Sequence, residues 1–141
     1  MEKVLFKFLF SLMLAGFVGL AGAQDIKAVY HVNTDVDTVT AILNNVRNHI
    51  NADSKAKIVV VTHGLGVNFL LQDAKDSKGR EFTGTVSDLA SLGIEFRVCS
   101  NTLNSNKIDP NRLLMETKIV PSGVAEIARL QAQEGFVYLK P

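Results

Sequence analysis

Ala56-Lys57-Ile58-Val59-Val60-Val61-Thr62 is the stretch whose reading decides the fold. Its middle, Ile58 to Val61, is an unbroken run of β-branched residues. A strand with one wet face alternates apolar and polar side chains, whereas an unbroken run suits a strand covered on both faces, as in a parallel sheet with helices above and below. The segment is therefore read as a central strand, and the rest of the chain must supply its neighbours and its covering layers.

Upstream, Ile26 to Val32 is another short apolar run, ending in the turn and capping residues Asn33, Thr34 and Asp35. Val36, Val39, Leu43, Val46 and Ile50 follow at helical spacing, with Asn44, Asn45, Arg47 and Asn48 on the opposite face. Downstream, Phe69-Leu70-Leu71 closes a short helix before the charged, glycine-containing loop from Lys75 to Arg80. Thr85 is read as the cap of a helix with Val86, Leu89 and Ala90 inward and Gly93 at its end. Ile94 to Val98 is the third strand. Asp109-Pro110 opens a short helix to about Met115, and Thr117 to Val120 is the fourth strand. Ser122 caps a helix with Val124, Ile127 and Leu130 inward, stopped at Gly135, and Phe136 to Leu139 is the fifth strand.

Strands alternating with helices predict an α/β protein, a three-layer α/β/α sandwich around a mainly parallel five-stranded sheet. Residues 24–141 form one expected domain, large enough to bury a core without disulfides or metal. Residues 1–23 read as a signal peptide. Lys3 and Lys7 precede an apolar stretch from Phe8 to Leu20, and Ala21-Gly22-Ala23 is a small-residue cleavage site followed by polar Gln24-Asp25. A retained anchor is the alternative, and that polar junction disfavours it. The expected location is periplasmic or secreted, with no stable membrane anchor after cleavage.

The chain has 15 basic and 14 acidic residues, a formal net charge of +1. Two of those lysines and one glutamate fall in the leader, so the remainder is balanced and predicts no nucleic-acid or anionic-membrane partner. No motif calls for a bound cofactor or a resident metal. His63-Gly64-Leu65-Gly66 permits a tight turn, but without a following Lys-Ser/Thr it is no phosphate-cradling loop.

In open parallel sheets, chemistry collects at the carboxyl ends of the strands. Three capable side chains are expected there: His31 near the end of the first strand, His63 after the second, and Cys99 at the end of the third. His49 lies on a helix flank and reads as a boundary residue. Cys99 is the only cysteine, so it has no internal disulfide partner. It reads equally as a packed small hydrophobe or as a reactive thiol. Reactivity is favoured by the helix start at Ser100-Asn101-Thr102-Leu103, whose amides stabilise a thiolate, and by a neighbouring histidine when protonated. Arg97 alternates with Cys99 along its strand and is a weaker candidate for the same role. Asn33 and Asn68 can orient a ligand at this edge or serve as turn and cap residues.

Val60-Val61-Thr62-His63-Gly64, the segment from Leu92 to Leu103, and Val120-Pro121-Ser122-Gly123-Val124 leading to Gly135-Phe136 together resemble the DsrE/DsrF-like family of small α/β proteins associated with sulfur relay. The resemblance spans nearly all of residues 24–141. It implies that Cys99, matching the family's sulfur-accepting cysteine, carries a persulfide. Substrate contacts are then expected from His63, His31, Asn68 and Asn101. It also implies a homo-oligomer, with the Val67 to Leu71 region and part of the late helix buried between subunits, and a protein donor or acceptor of sulfur. The expected function is a periplasmic sulfur carrier or sulfur-binding protein. The alternative is a metal or small-molecule binding module using His31, His63 and Cys99 as soft ligands. Whether the chain is an enzyme is left open.

Overall fold

The computed structural model describes residues 24–141, so the leader and its cleavage site lie outside the described residues. Five strands form one sheet: β1 (Lys27–Val32), β2 (Lys57–Thr62), β3 (Glu95–Cys99), β4 (Thr117–Val120) and β5 (Val137–Leu139). Their order is β4-β3-β2-β1-β5 and every pairing is parallel. The apolar run is central, with its residues 58 to 62 all buried.

Two helical layers sandwich the sheet. One face carries Ala28, Tyr30, Val32, Ile58, Val60, Phe96 and Val98 into the larger core. There it meets α1 (Val36–Ala52), the 3-10 turn Gly64–Leu70, α2 (Phe82–Ser91) and α3 (Ser100–Ser105). The other face carries Val29, Val59 and Val61, covered by Ile127 and Leu130 of α4 (Gly123–Glu134) and by Phe136. The expected three-layer α/β/α architecture is thus the observed one, with an entirely parallel sheet.

The helix caps follow local chemistry. Asp35 accepts from the Thr38 amide at the start of α1, and Ser122 accepts from Ala125 at the start of α4. Asp109 caps as expected, but the segment it opens is a single 3-10 turn, Pro110–Arg112, rather than a helix reaching Met115.

Two expectations about helices are corrected. Thr85 is not a cap: α2 starts at Phe82, because Phe82, Val86 and Leu89 make the buried stripe and Phe82 packs edge-on against Phe69. Val124 is 62% exposed instead of facing the core. The buried stripe of α4 runs through Gly123, Ile127 and Leu130, which rotates Val124 outward.

Within the Val67 to Leu71 region, Val67, Phe69 and Leu70 are completely buried in the protomer's own core, and Leu71 is half-buried.

Candidate active site at the carboxyl edge of the sheet

Because β1, β2 and β3 are neighbours, their carboxyl ends bring His31, His63 and Cys99 to one edge. Strand alternation points all three to the face covered by α4. Among the described residues they do not form a group that could hold a metal ion, however. The geometry divides them into a thiol subsite and an imidazole subsite, with Gly123 between.

Cys99 is 5% exposed. It is the last residue of β3 and the residue before α3, so its sulfur meets the first turn of that helix. Gly123, the first residue of α4, closes against the same place. A Cβ built on Gly123 would stand 3.3 Å from Cys99 Cβ, 3.2 Å from His63 Cβ and 3.1 Å from the Thr62 carbonyl oxygen. A side chain here would be crowded, so its neighbours would have to give by a few tenths of an ångström, and glycine lets the α4 backbone approach without that. Burial pushes the Cys99 thiol up, but hydrogen bonding from the backbone of Gly123, the side chain of Thr102 and the backbones of Thr102 and Asn101 outweighs it. The thiol consequently titrates below its ordinary value.

Thr102 has a definite part in that arrangement. Its Oγ1 accepts from the Gly64 amide at 3.0 Å, tying the turn after His63 to α3 and leaving the hydroxyl proton to be donated to sulfur. Two helix starts, α3 and α4, therefore converge on one sulfur atom. Their amides and dipoles favour negative charge there.

The imidazole subsite lies toward β1 and β5. His31 Nε2 is 2.6 Å from His63 Nε2, and His31 Nδ1 is 2.7 Å from the Tyr138 hydroxyl. The facing Nε2 atoms share one proton, since one must donate and the other accept. Burial, the His63 charge and Lys140 together push His31 down to about 4, and burial and Lys140 push His63 down as well. Both rings are therefore neutral near pH 7. The His63 ring is engaged by His31 of β1, and the groups that favour the thiolate are amides and a hydroxyl instead of an imidazolium.

Arg97 shares the face of Cys99, as strand alternation requires, but its guanidinium is held by Glu126 and by Glu95 at 2.9 Å. Glu126 also accepts from Arg129, and Glu95 from Lys118. Arg97 thus fastens α4 to the sheet and does not serve the thiol. Asn101 is exposed beside Cys99 and contributes its backbone. Asn68 is half-buried in the 3-10 turn, and among the described residues its side chain makes no hydrogen bond to His31, His63 or Cys99. Asn33 is half-buried where β1 ends. His49 is a boundary residue, accepting or donating at 3.0 Å to the Tyr30 hydroxyl.

A soft metal site made of His31, His63 and Cys99 does not assemble. Among the described residues no group of three metal-capable side chains converges. The Nε2 separation is also shorter than the roughly 3.3 Å that two nitrogens keep around a tetrahedral zinc.

Sequence reasoning missed the Thr102 hydroxyl, Gly123 and Tyr138. Gly123 carried a signal, a glycine directly after a Ser cap where helix formers are preferred. Tyr138 carried none, because its pairing partner His31 is 107 residues away.

An all-parallel α/β sandwich with a single amide-stabilised thiol at its carboxyl edge defines the class. The chain belongs to the DsrE/DsrF-like family, whose model matches residues 27–141. It is similar over 83% of its length, at 36% identity and a TM-score of 0.74, to the whole of the protein of unknown function MTH1491 from Methanobacterium thermoautotrophicum. The ychN protein from E. coli shares the fold, with a TM-score of 0.69 at 12% identity over 84% of this chain and all of that one. No functionally curated protein matches the chain.

Proposed function

We propose that the protein is a sulfur carrier in which Cys99 accepts sulfane sulfur and holds it as a persulfide. The observation that carries this reading is the convergence on Cys99 of Gly123 from α4 and Asn101 and Thr102 from α3, which favours an anionic sulfur. Membership of the DsrE/DsrF-like family supports the same chemistry.

In the loading step the Cys99 thiolate attacks the terminal sulfur of a donor persulfide. A sulfur–sulfur bond forms on Cys99, the donor's own sulfur–sulfur bond breaks, and the donor departs as a thiolate. Unloading is the same exchange onto an acceptor thiolate. The product is a persulfide anion, stabilised by the same amides that favour the thiolate. With Cys99 only 5% exposed, sulfur reaches it from a docked donor or a small persulfide.

The leader at residues 1–23 is read as delivering the carrier to the periplasm or outside the cell, and a second copy of the chain is proposed as a partner. The test of the function is intact mass after incubation with a small-molecule persulfide donor. The expected result is a reductant-labile gain of sulfur that is absent from Cys99→Ser. Equal loading of Cys99→Ser would overturn the reading.

A further inference from the structure

We propose that His31, His63, Tyr138 and Lys140 form a second site, beside the thiol and independent of it, that binds a small oxyanion. Its components come from three strands that the topology makes neighbours: β1 supplies His31, the end of β2 supplies His63, and β5 with the residue after it supplies Tyr138 and Lys140. The two imidazoles meet Nε2 to Nε2 at 2.6 Å with ring centroids 4.7 Å apart, and the phenol holds His31 Nδ1 at 2.7 Å. The two imidazoles and the phenol are thus gathered at one place, with Lys140 near enough for its charge to lower both histidines, a set of donors that suits an anion with several acceptor oxygens.

The charges around them point the same way. From α4, Glu126 is bound by Arg97 and Arg129, and Glu134 by Arg129. From β3, Glu95 is bound by Arg97 and Lys118. Asp35, past the end of β1, is occupied by the Thr38 amide and hydroxyl. Lys27, at the opposite end of β1, donates to the Glu134 carbonyl. These four carboxylates are engaged elsewhere. Among the described residues, neither Lys140 nor either imidazole makes an ion pair.

Burial keeps the imidazoles neutral, helped at His31 by the His63 charge and at both rings by Lys140. An oxyanion bound beside them offsets the Lys140 charge and itself favours imidazolium, so the pair takes one proton from bulk water as the anion arrives. Nothing is oxidised, and the only bond formed is N–H. Affinity must then rise as pH falls, because ligand and proton favour each other reciprocally.

Sulfate is the probe, since it does not itself titrate across the range used. Calorimetry in two buffers of different ionisation enthalpy should show proton uptake on binding, with affinity tightening about threefold or more per pH unit from about pH 7 to about pH 5. Lys140→Met and Tyr138→Phe, both at exposed positions that leave the core untouched, should each weaken sulfate about tenfold. Cys99→Ser should bind sulfate as the natural protein does, which separates this site from the thiol reading: either can fail alone. Absent sulfate binding, binding without proton uptake, or binding unchanged in both variants overturns the proposal.

Discussion

Gly66→Ala should destabilise the protein by about 3 kcal/mol, far more than the same change two residues earlier at Gly64. A Cβ on Gly66 would stand 2.1 Å from the Val32 carbonyl oxygen, 2.5 Å from its carbonyl carbon and 2.9 Å from the Asn33 nitrogen. All three are backbone atoms, so no flexible side chain can yield. To restore van der Waals contact, the 3-10 turn Gly64–Leu70 must withdraw from the end of β1 by about 1 Å. That movement disturbs Val67, Phe69 and Leu70, all fully buried. It also strains the hydrogen bond from the His63 amide to the same Val32 carbonyl, 3.2 Å long. Overpacking of this kind costs about 1–3 kcal/mol, with rigid backbone at the upper end. Gly64, by contrast, has φ +55° and nothing within 4 Å of its would-be Cβ, so its alanine variant incurs only left-handed backbone strain of about 1 kcal/mol. With a urea slope of about 2 kcal/mol/M, the unfolding midpoint should fall by about 1.5 M for Gly66→Ala and about 0.5 M for Gly64→Ala. Equal shifts in the two variants, or a Gly66→Ala shift below about 0.5 M, would refute the reasoning.

The Glu126 carboxyl, held down to about 2 by Arg129 and then by Arg97 against the cost of burial, stabilises the fold above its unfolded value. That contribution should disappear as pH falls from about 4.5 to about 2, and Glu126→Gln should lose about 1–2 kcal/mol at neutral pH and flatten the dependence, read from urea midpoints. His31, held near 4 by burial, His63 and Lys140, takes up its proton later than in the unfolded chain. Stability should therefore fall as pH drops from about 6.5 toward about 4, with a shallower slope in His31→Gln. Thr102→Val keeps the shape of a half-buried residue but removes a hydroxyl that lowers the thiol. The alkylation profile of Cys99 should move to higher pH, and a profile that stays in place contradicts the role given to that hydroxyl.

What was legible in the sequence follows from which contacts are local. The β-branched run at Ile58 to Val61 announced a doubly covered strand because burial on both faces leaves no room for a polar side chain. The placement of His31, His63 and Cys99 at one edge followed from strand ends alone. The start of α2 was misplaced because Thr85 resembles a cap, yet the spacing of Phe82, Val86 and Leu89 outweighs it. Two facts were beyond any local pattern. β5 pairs with β1 and so delivers Tyr138 to His31, and α4 lies across the sheet so that Gly123 meets Cys99. For the same reason the expectation that a histidine assists the thiol met a different arrangement: His63 and Cys99 occupy adjacent strand ends, but the His63 ring is engaged by His31 on the other side.

The central claim is that Cys99 is an anion-stabilised, sulfur-accepting thiol. Its most direct test is the intact mass of the natural protein and of Cys99→Ser, each recovered without reductant after exposure to a persulfide donor. The account predicts a reductant-labile addition of sulfur on the natural protein alone. A natural protein that remains unmodified while folded and accepts sulfur only after denaturation would contradict it.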